Sequence, residues 1–186
     1  ELIKEFSLDR VQKAGAVFNL QKLNWLNAYY IRQLEDKELT EKLIPFVKPL
    51  GWHKDQEFLT KVISLEKIRL RKLSAFQDLV SFFFELPEYK KEMLSWKNQE
   101  SDQTLSILKE LENIFSNIID IGFKKEILEQ QILPLTQQKG RGEVLWPLRI
   151  ALSGKEASPG PFEIAEVIDK EEVLRRLRLA IEKLSS

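Results

Sequence analysis

Cysteine is absent from the chain, which excludes disulfides, thiolate metal sites and cysteine nucleophiles. Histidine is nearly absent: His53 stands alone beside Trp52, in a turn between two helical patterns. Neither a histidine-based metal site nor a histidine relay is expected from it, and an exposed turn residue is the bland reading. The seven glycines build no phosphate-cradling loop. A surplus of one charge is lacking too, with 29 basic against 29 acidic residues. That balance argues against an indiscriminate polyanion binder, and DNA is not an expected partner. No apolar run reaches the roughly 18 residues that a spanning helix needs, and no signal-peptide pattern is present. The expectation is a soluble, cytoplasmic chain without membrane contact. Nothing here looks catalytic.

What remains is ample for a packed core in one or two domains: 186 residues, 43% of them hydrophobic. Charge is unevenly placed. Glu66 to Lys72 holds four cations and one carboxylate, whereas Glu100 to Glu129 holds seven carboxylates and three lysines. A positive face opposite an acidic one suits a single oriented contact with RNA, although such runs are more often solvated surface.

Nearly every segment reads as helix, so the expected fold is all-α. Ser7 can cap a short helix that Gly15 ends. Asn19 can cap a second, with Leu20, Leu23, Leu26, Tyr30, Ile31 and Leu34 along one stripe and Lys22, Asn27 and Arg32 off it. Asp36 can open a third, with Leu39, Leu43, Phe46 and Val47 inward and Pro45 kinking or ending it. Asp55 can open a fourth, bearing Phe58, Leu59, Val62 and Ile63. Ser74 to Gln77 has capping-box spacing for a fifth that runs towards Pro87. Tyr89 to Lys97 is weakly helical, and 98–102 is polar enough for a loop. Leu105, Leu108, Leu111, Phe115 and Ile118 then mark a helix, and Leu128, Ile132 and Leu135 another with Pro134 near its end. Gln138 to Gly142 reads as a flexible, basic lead-in. Asp169 with Glu172 has capping-box spacing before Leu174, Leu177, Ile181 and Leu184. Arg175, Arg176 and Arg178 beside that stripe suit surface pairing. Trp25, Trp96, Trp146 and Phe82 to Phe84 are more simply core than stacking platforms, with Trp146 the one to watch, a turn from Arg149.

The most informative stretch runs from Glu143 to Phe162. Val144, Leu145, Leu148 and Leu152 suit a short buried helix, with Pro147 tolerable near its start and Gly154 stopping it. Arg149 then faces the polar turn Ser158-Pro159-Gly160-Pro161. A planar fork of donors beside such a turn can hold a splayed base by edge and face, or can merely pair with a carboxylate.

V-x-x-P-L-R-x-A-L-[ST]-G followed by P-G-x-F-E, as it stands here, resembles the C-terminal anticodon-binding region of bacterial glutamyl-tRNA synthetase, a class I family. A second block agrees: Val17-Phe-Asn-Leu-Gln-Lys-Leu-Asn-Trp-Leu-Asn27, then Tyr30-Ile-Arg32. The two lie in family order, and the resemblance covers essentially the whole chain. It implies an all-α chain in three parts: 1–34 closing a stem-contact region, and 35–95 and 96–186 as consecutive helical anticodon-binding subdomains. It implies further that Arg69 reads the last anticodon base, and that Arg149 with Ser158, Pro159, Gly160 and Pro161 holds the first two. Lys22, Asn27, Arg32, Lys67, Lys72, Arg141 and Trp146 are further candidate tRNA contacts. The chain departs from the family pattern at Asn19 (usually Asp), Ser158 (commonly Thr) and Pro161 (commonly a larger apolar residue).

The implied partner is the glutamate tRNA, bound by a monomer. Glutamate anticodons end in U-C and glutamine anticodons in U-G. An arginine aimed at the pairing edge meets acceptors on cytosine and donors on guanine, a discrimination of about 1–3 kcal/mol by analogy with duplex readout. The class I histidine-rich and K-x-S-K signatures are missing. The resemblance therefore implies an RNA-reading part without a catalytic residue, metal site or cofactor of its own, inactive alone, with ATP and magnesium belonging to the catalytic domain. The competing readings are a non-discriminating relative that also charges glutamine tRNA, and a helical protein-interaction module without an RNA role.

Overall fold

The computed structural model describes residues 17–52 and 55–185, with Lys4, Phe6, Ser7 and Gly15. The helix expected between Ser7 and Gly15, and His53, lie outside the described residues. Those residues form eight α-helices and no strand: α1 Leu20–Gln33, α2 Asp36–Val47, α3 Gln56–Glu66, α4 Phe76–Phe84, α5 Ser101–Asn117, α6 Lys125–Lys139, α7 Arg141–Ser153 and α8 Pro161–Ser185. The all-α expectation is met.

Three expected caps are in place. Asn19 Oδ1 accepts from the Lys22 amide at 3.0 Å, Asp55 Oδ1 from Phe58 at 2.9 Å and Asp169 Oδ1 from Glu172 at 3.1 Å. Each satisfies an amide that the first helical turn leaves without a partner. Asp169 also takes a φ of 68°, which breaks α8 into two runs and turns the second onto the core. Asp36 opens α2 as expected, as its first helical residue, and one expected start differs. Ser74 sits within a 3-10 turn, Leu73–Ala75, and Gln77 donates to the Phe46 carbonyl instead of closing a capping box.

The prolines and loops hold further corrections. Pro147 lies midway along α7, not at its start. The Glu143 carbonyl that a normal residue 147 would bond accepts a long bond from Gln99 Nε2 at 3.5 Å. Pro134 and Pro45 lie inside α6 and α2, as expected, in the later part of each helix. The basic stretch 138–142 is no loop: α6 runs to Lys139 and α7 starts at Arg141, with Gly140 at φ 100° as the one-residue corner. Glycine is the residue that turns there without a Cβ penalty. The loop expected at 98–102 stops at Glu100, since α5 already includes Ser101.

One contiguous apolar cluster runs from Ile31 of α1 to α8. Helices α5, α7 and α8 pack closest, α6 lies on α7, and α2 to α4 form the other end. The stripe of α5 is Thr104, Ile107, Leu108, Leu111 and Phe115, while Leu105 is only partly covered. In α1 the expected stripe is largely open: Leu20 is 59% and Tyr30 61% exposed, and only Ala28 and Ile31 are buried.

Arg176 was expected on the surface and is 1% exposed. Its Nε donates to Glu172 at 2.6 Å, and Nη1 to the carbonyls of Phe82 and Leu152. Those carbonyls sit in the last turns of α4 and α7, where helix geometry leaves acceptors unpaired and negative charge accumulates. Burial is thus matched by three partners. Arg175 and Arg178 do pair at the surface, with Glu172 and Glu112.

Candidate nucleic-acid interface

After α3 ends at Glu66, the chain turns through Ile68 and Arg69 to a buried Leu70, which anchors the basic segment on the core. Arg69 therefore leaves the core at a defined point. Its Nη1 donates to both Glu66 carboxylate oxygens at 3.1 Å, and Nη2 to the Ala157 carbonyl at 3.0 Å. The side chain is about one-third exposed.

Ala157 belongs to the 154–160 connection between α7 and α8. Arg149 projects from α7 onto the other side of that connection. Its Nη1 donates to Ser158 O at 2.7 Å, Ser158 Oγ at 2.8 Å and Pro159 O at 2.7 Å. The Ser158 hydroxyl also donates to Pro159 O at 3.0 Å. Gly154, at φ 63°, ends α7 as a left-handed cap, which is the stop expected from the sequence. Pro159 and Pro161 are buried, so the turn is held from beneath as well as by two arginines. Arg149 pairs with carbonyls and a hydroxyl, not with a carboxylate. Burial first, and then the Arg69 charge, pull it below its ordinary pKa while Glu163 opposes them. A guanidinium remains charged through such a shift. Among the described residues, no hydrogen bond engages Nε of Arg69, or Nε and Nη2 of Arg149.

Two grooves are lined by these arginines, one by Arg69 and the other by Arg149. A wide one, about 960 Å³, is lined by Lys22, Arg32, Arg69 and Arg71 with Asn19, Asn24 and Trp25. Among the described residues its lining carries four cations and no carboxylate. A smaller one of about 390 Å³ brings together Arg141, Arg149, Gly160 and Pro161, with Glu129 and Glu163 at its side. Glu163 is bonded to Lys125 at 2.8 Å. Cationic walls with free N–H groups suit phosphates and unpaired base edges.

The remaining candidates separate. Lys72 is exposed and lines a shallow extension of the wide groove with Arg69. Lys67 is committed to Asp36 at 2.9 Å and to the Leu34 carbonyl, joining the end of α1 to the start of α2. Trp146 donates from Nε1 to the Met93 carbonyl at 2.8 Å and packs against Trp96, their ring centroids 5.0 Å apart. Asn27 is exposed but lines neither groove, being about 140° around the helix from Lys22 at 100° per residue. Arg71 and Asn24 were not singled out from the sequence, and Trp25, expected in the core, is instead 62% exposed and lines the wide groove. The recurrence of Gln21, Trp25, Ala28 and Arg32 on one face of α1 was the signal for that wall. Among the described residues no group of three or more acidic or histidine side chains could hold a metal ion. No helix among them is long and apolar enough to cross a membrane.

A family model described as an anticodon binding domain matches residues 38–181. The glutamate–tRNA ligase of Lachnoclostridium phytofermentans is 34% identical over the whole chain, and that of Clostridium kluyveri 37% identical over 99% of it. The chain spans 38% of the length of each. The crystal structure of a glutamate tRNA ligase from Elizabethkingia meningosepticum, in complex with its amino acid, superposes with a TM-score of 0.83 at 30% identity. That match covers 98% of this chain and 36% of the other.

Proposed function

The chain belongs to the anticodon-binding domain family, and from that premise we propose that it is the tRNA-reading part of a glutamate–tRNA ligase, with the glutamate tRNA as its partner. The observation that carries this is the convergence of Arg69 and Arg149 on one turn, each with uncommitted N–H groups beside a groove. In this reading Arg149 and the Ser158 to Pro161 turn hold the first two anticodon bases. Arg69 donates to the pairing edge of the third and prefers cytosine to guanine. Lys22, Arg32, Lys72 and Arg141 meet phosphates. Lys67 and Trp146 act through packing, and Asn27 takes no part in either groove. Residues 1–34 close a stem-contact region, and 35–95 and 96–186 are the two anticodon-binding units. The protein works as a monomer in the cytoplasm.

In this reading activation of glutamate with ATP and magnesium is the work of the ligase's catalytic domain, and no step of that chemistry is assigned to the residues here. Filter binding of bacterial tRNA across a salt series tests the RNA role. Neutralised phosphates make the logarithm of affinity fall in proportion to the logarithm of salt. Binding that is absent, or indifferent to salt, would favour instead a protein-interaction module, for which the open apolar residues of α1 are the supporting feature.

A further inference from the structure

Glu66 ends α3 with 0% of its side chain exposed. A buried carboxylate is costly unless it is paired, and a buried pair is a poor device for stability compared with apolar packing. Its presence there needs another account, and the geometry offers one. Both carboxylate oxygens accept from Nη1 of Arg69, while Nη2 is held by the Ala157 carbonyl. The guanidinium is thereby pinned at two points of its plane, and Arg69 lines the wide groove with no hydrogen bond at Nε among the described residues. An arginine side chain otherwise samples many rotamers, and edge-on recognition of a base depends on the fork being oriented beforehand.

We propose that Glu66 is the positioning residue of the base-reading site, orienting the Arg69 fork so that it distinguishes the third anticodon base. This rests on the role given to Arg69 above. The charges facing Glu66 are Arg69 on its own turn and Lys155 from the connection after α7. Lys155 in turn donates to the Asp78 carbonyl of α4, and Arg149 lies beyond Arg69. Burial pushes the Glu66 carboxyl up to about 7, against the opposing pull of Arg69 and Lys155. Mild acid therefore discharges the group that holds the reader, and base preference falls with it.

The experiment is a pair of titrations with anticodon stem-loops ending in U-C and U-G at one salt concentration. It is run at about pH 8 and about pH 6 on a His53→Gln background, which removes the one imidazole of the sequence. The preference for the U-C ending should drop about tenfold on acidification, the scale of one base contact. Glu66→Gln should show the low preference at both pH values. Added to Arg69→Gln, it should change the preference no further, whereas a general structural defect would add its own loss. The inference is overturned if Glu66→Gln keeps the preference, or if its effect adds to that of Arg69→Gln. Should Glu66→Gln not fold, the acid titration of the His53→Gln protein decides alone: a preference unchanged between the two pH values overturns the role. A His53→Gln protein with no preference at about pH 8 overturns instead the reading of Arg69, and this inference with it.

Discussion

Arg69 and Lys72 are three residues apart on one basic segment, and in the proposed reading they do different work. Arg69 is held by Glu66 and Ala157, whereas Lys72 stands exposed at the margin of the groove. An oriented fork can tell one base edge from another, and a solvated ammonium on a flexible stem cannot. Arg69→Gln should weaken binding to a U-C stem-loop and narrow its advantage over U-G. Lys72→Gln should lower both affinities alike, as loss of a phosphate contact does. Equal loss on both stem-loops with Arg69→Gln would reduce Arg69 to a phosphate clamp. Gly154 carries a separate residue-scale requirement. At φ 63° a Cβ would be strained and would come within 2.7 Å of Pro87 Cγ. Gly154→Ala should cost about 1–2 kcal/mol or more of stability, read from a urea midpoint, and a loss well below that would show that the turn relaxes freely.

At the scale of elements, helical periodicity located most of what is present, and its errors have identifiable causes. Periodicity places a stripe only to within a residue or so, because every helix has partly covered flanks. Leu105 falls on such a flank of α5, and Ile107 faces the core. Leu108→Ala and Leu111→Ala should each cost about 2–5 kcal/mol, while Leu105→Ala should cost clearly less in the same denaturation series. Equal losses at all three would mean that the stripe is centred differently. Capping residues were legible where the side-chain bond is local, at Asn19, Asp55 and Asp169. They misled at Ser74, because Gln77 finds a better acceptor in another helix. Arg176 was illegible for the same reason. Its burial depends on carbonyls from α4 and α7, which are far away in the chain. The midhelical Pro147 likewise depends on tertiary packing to hold α7 together, which local rules do not contain.

Across the whole molecule, the site joins two ends of one contiguous core. Arg69 reaches from the α3 end to the α7–α8 turn, and Arg176 and Lys155 tie the same regions together from beneath. The arginines were legible as candidates from their motifs. Their convergence on one turn was not, since it requires residues 88 positions apart to meet. In the proposed reading such a scaffold presents bases to a fixed surface and takes no part in acyl activation. The purified chain should give no glutamyl-tRNA with ATP, glutamate and tRNA, and charging above a no-protein control would contradict that. The central claim is that the surface reads an anticodon, and it is tested most directly by titrating the unaltered chain with U-C and U-G stem-loops over a range of salt. The account predicts tighter binding of the U-C ending at every salt concentration, with both affinities falling as salt rises. Equal affinity for the two stem-loops, or no binding of either, would contradict it.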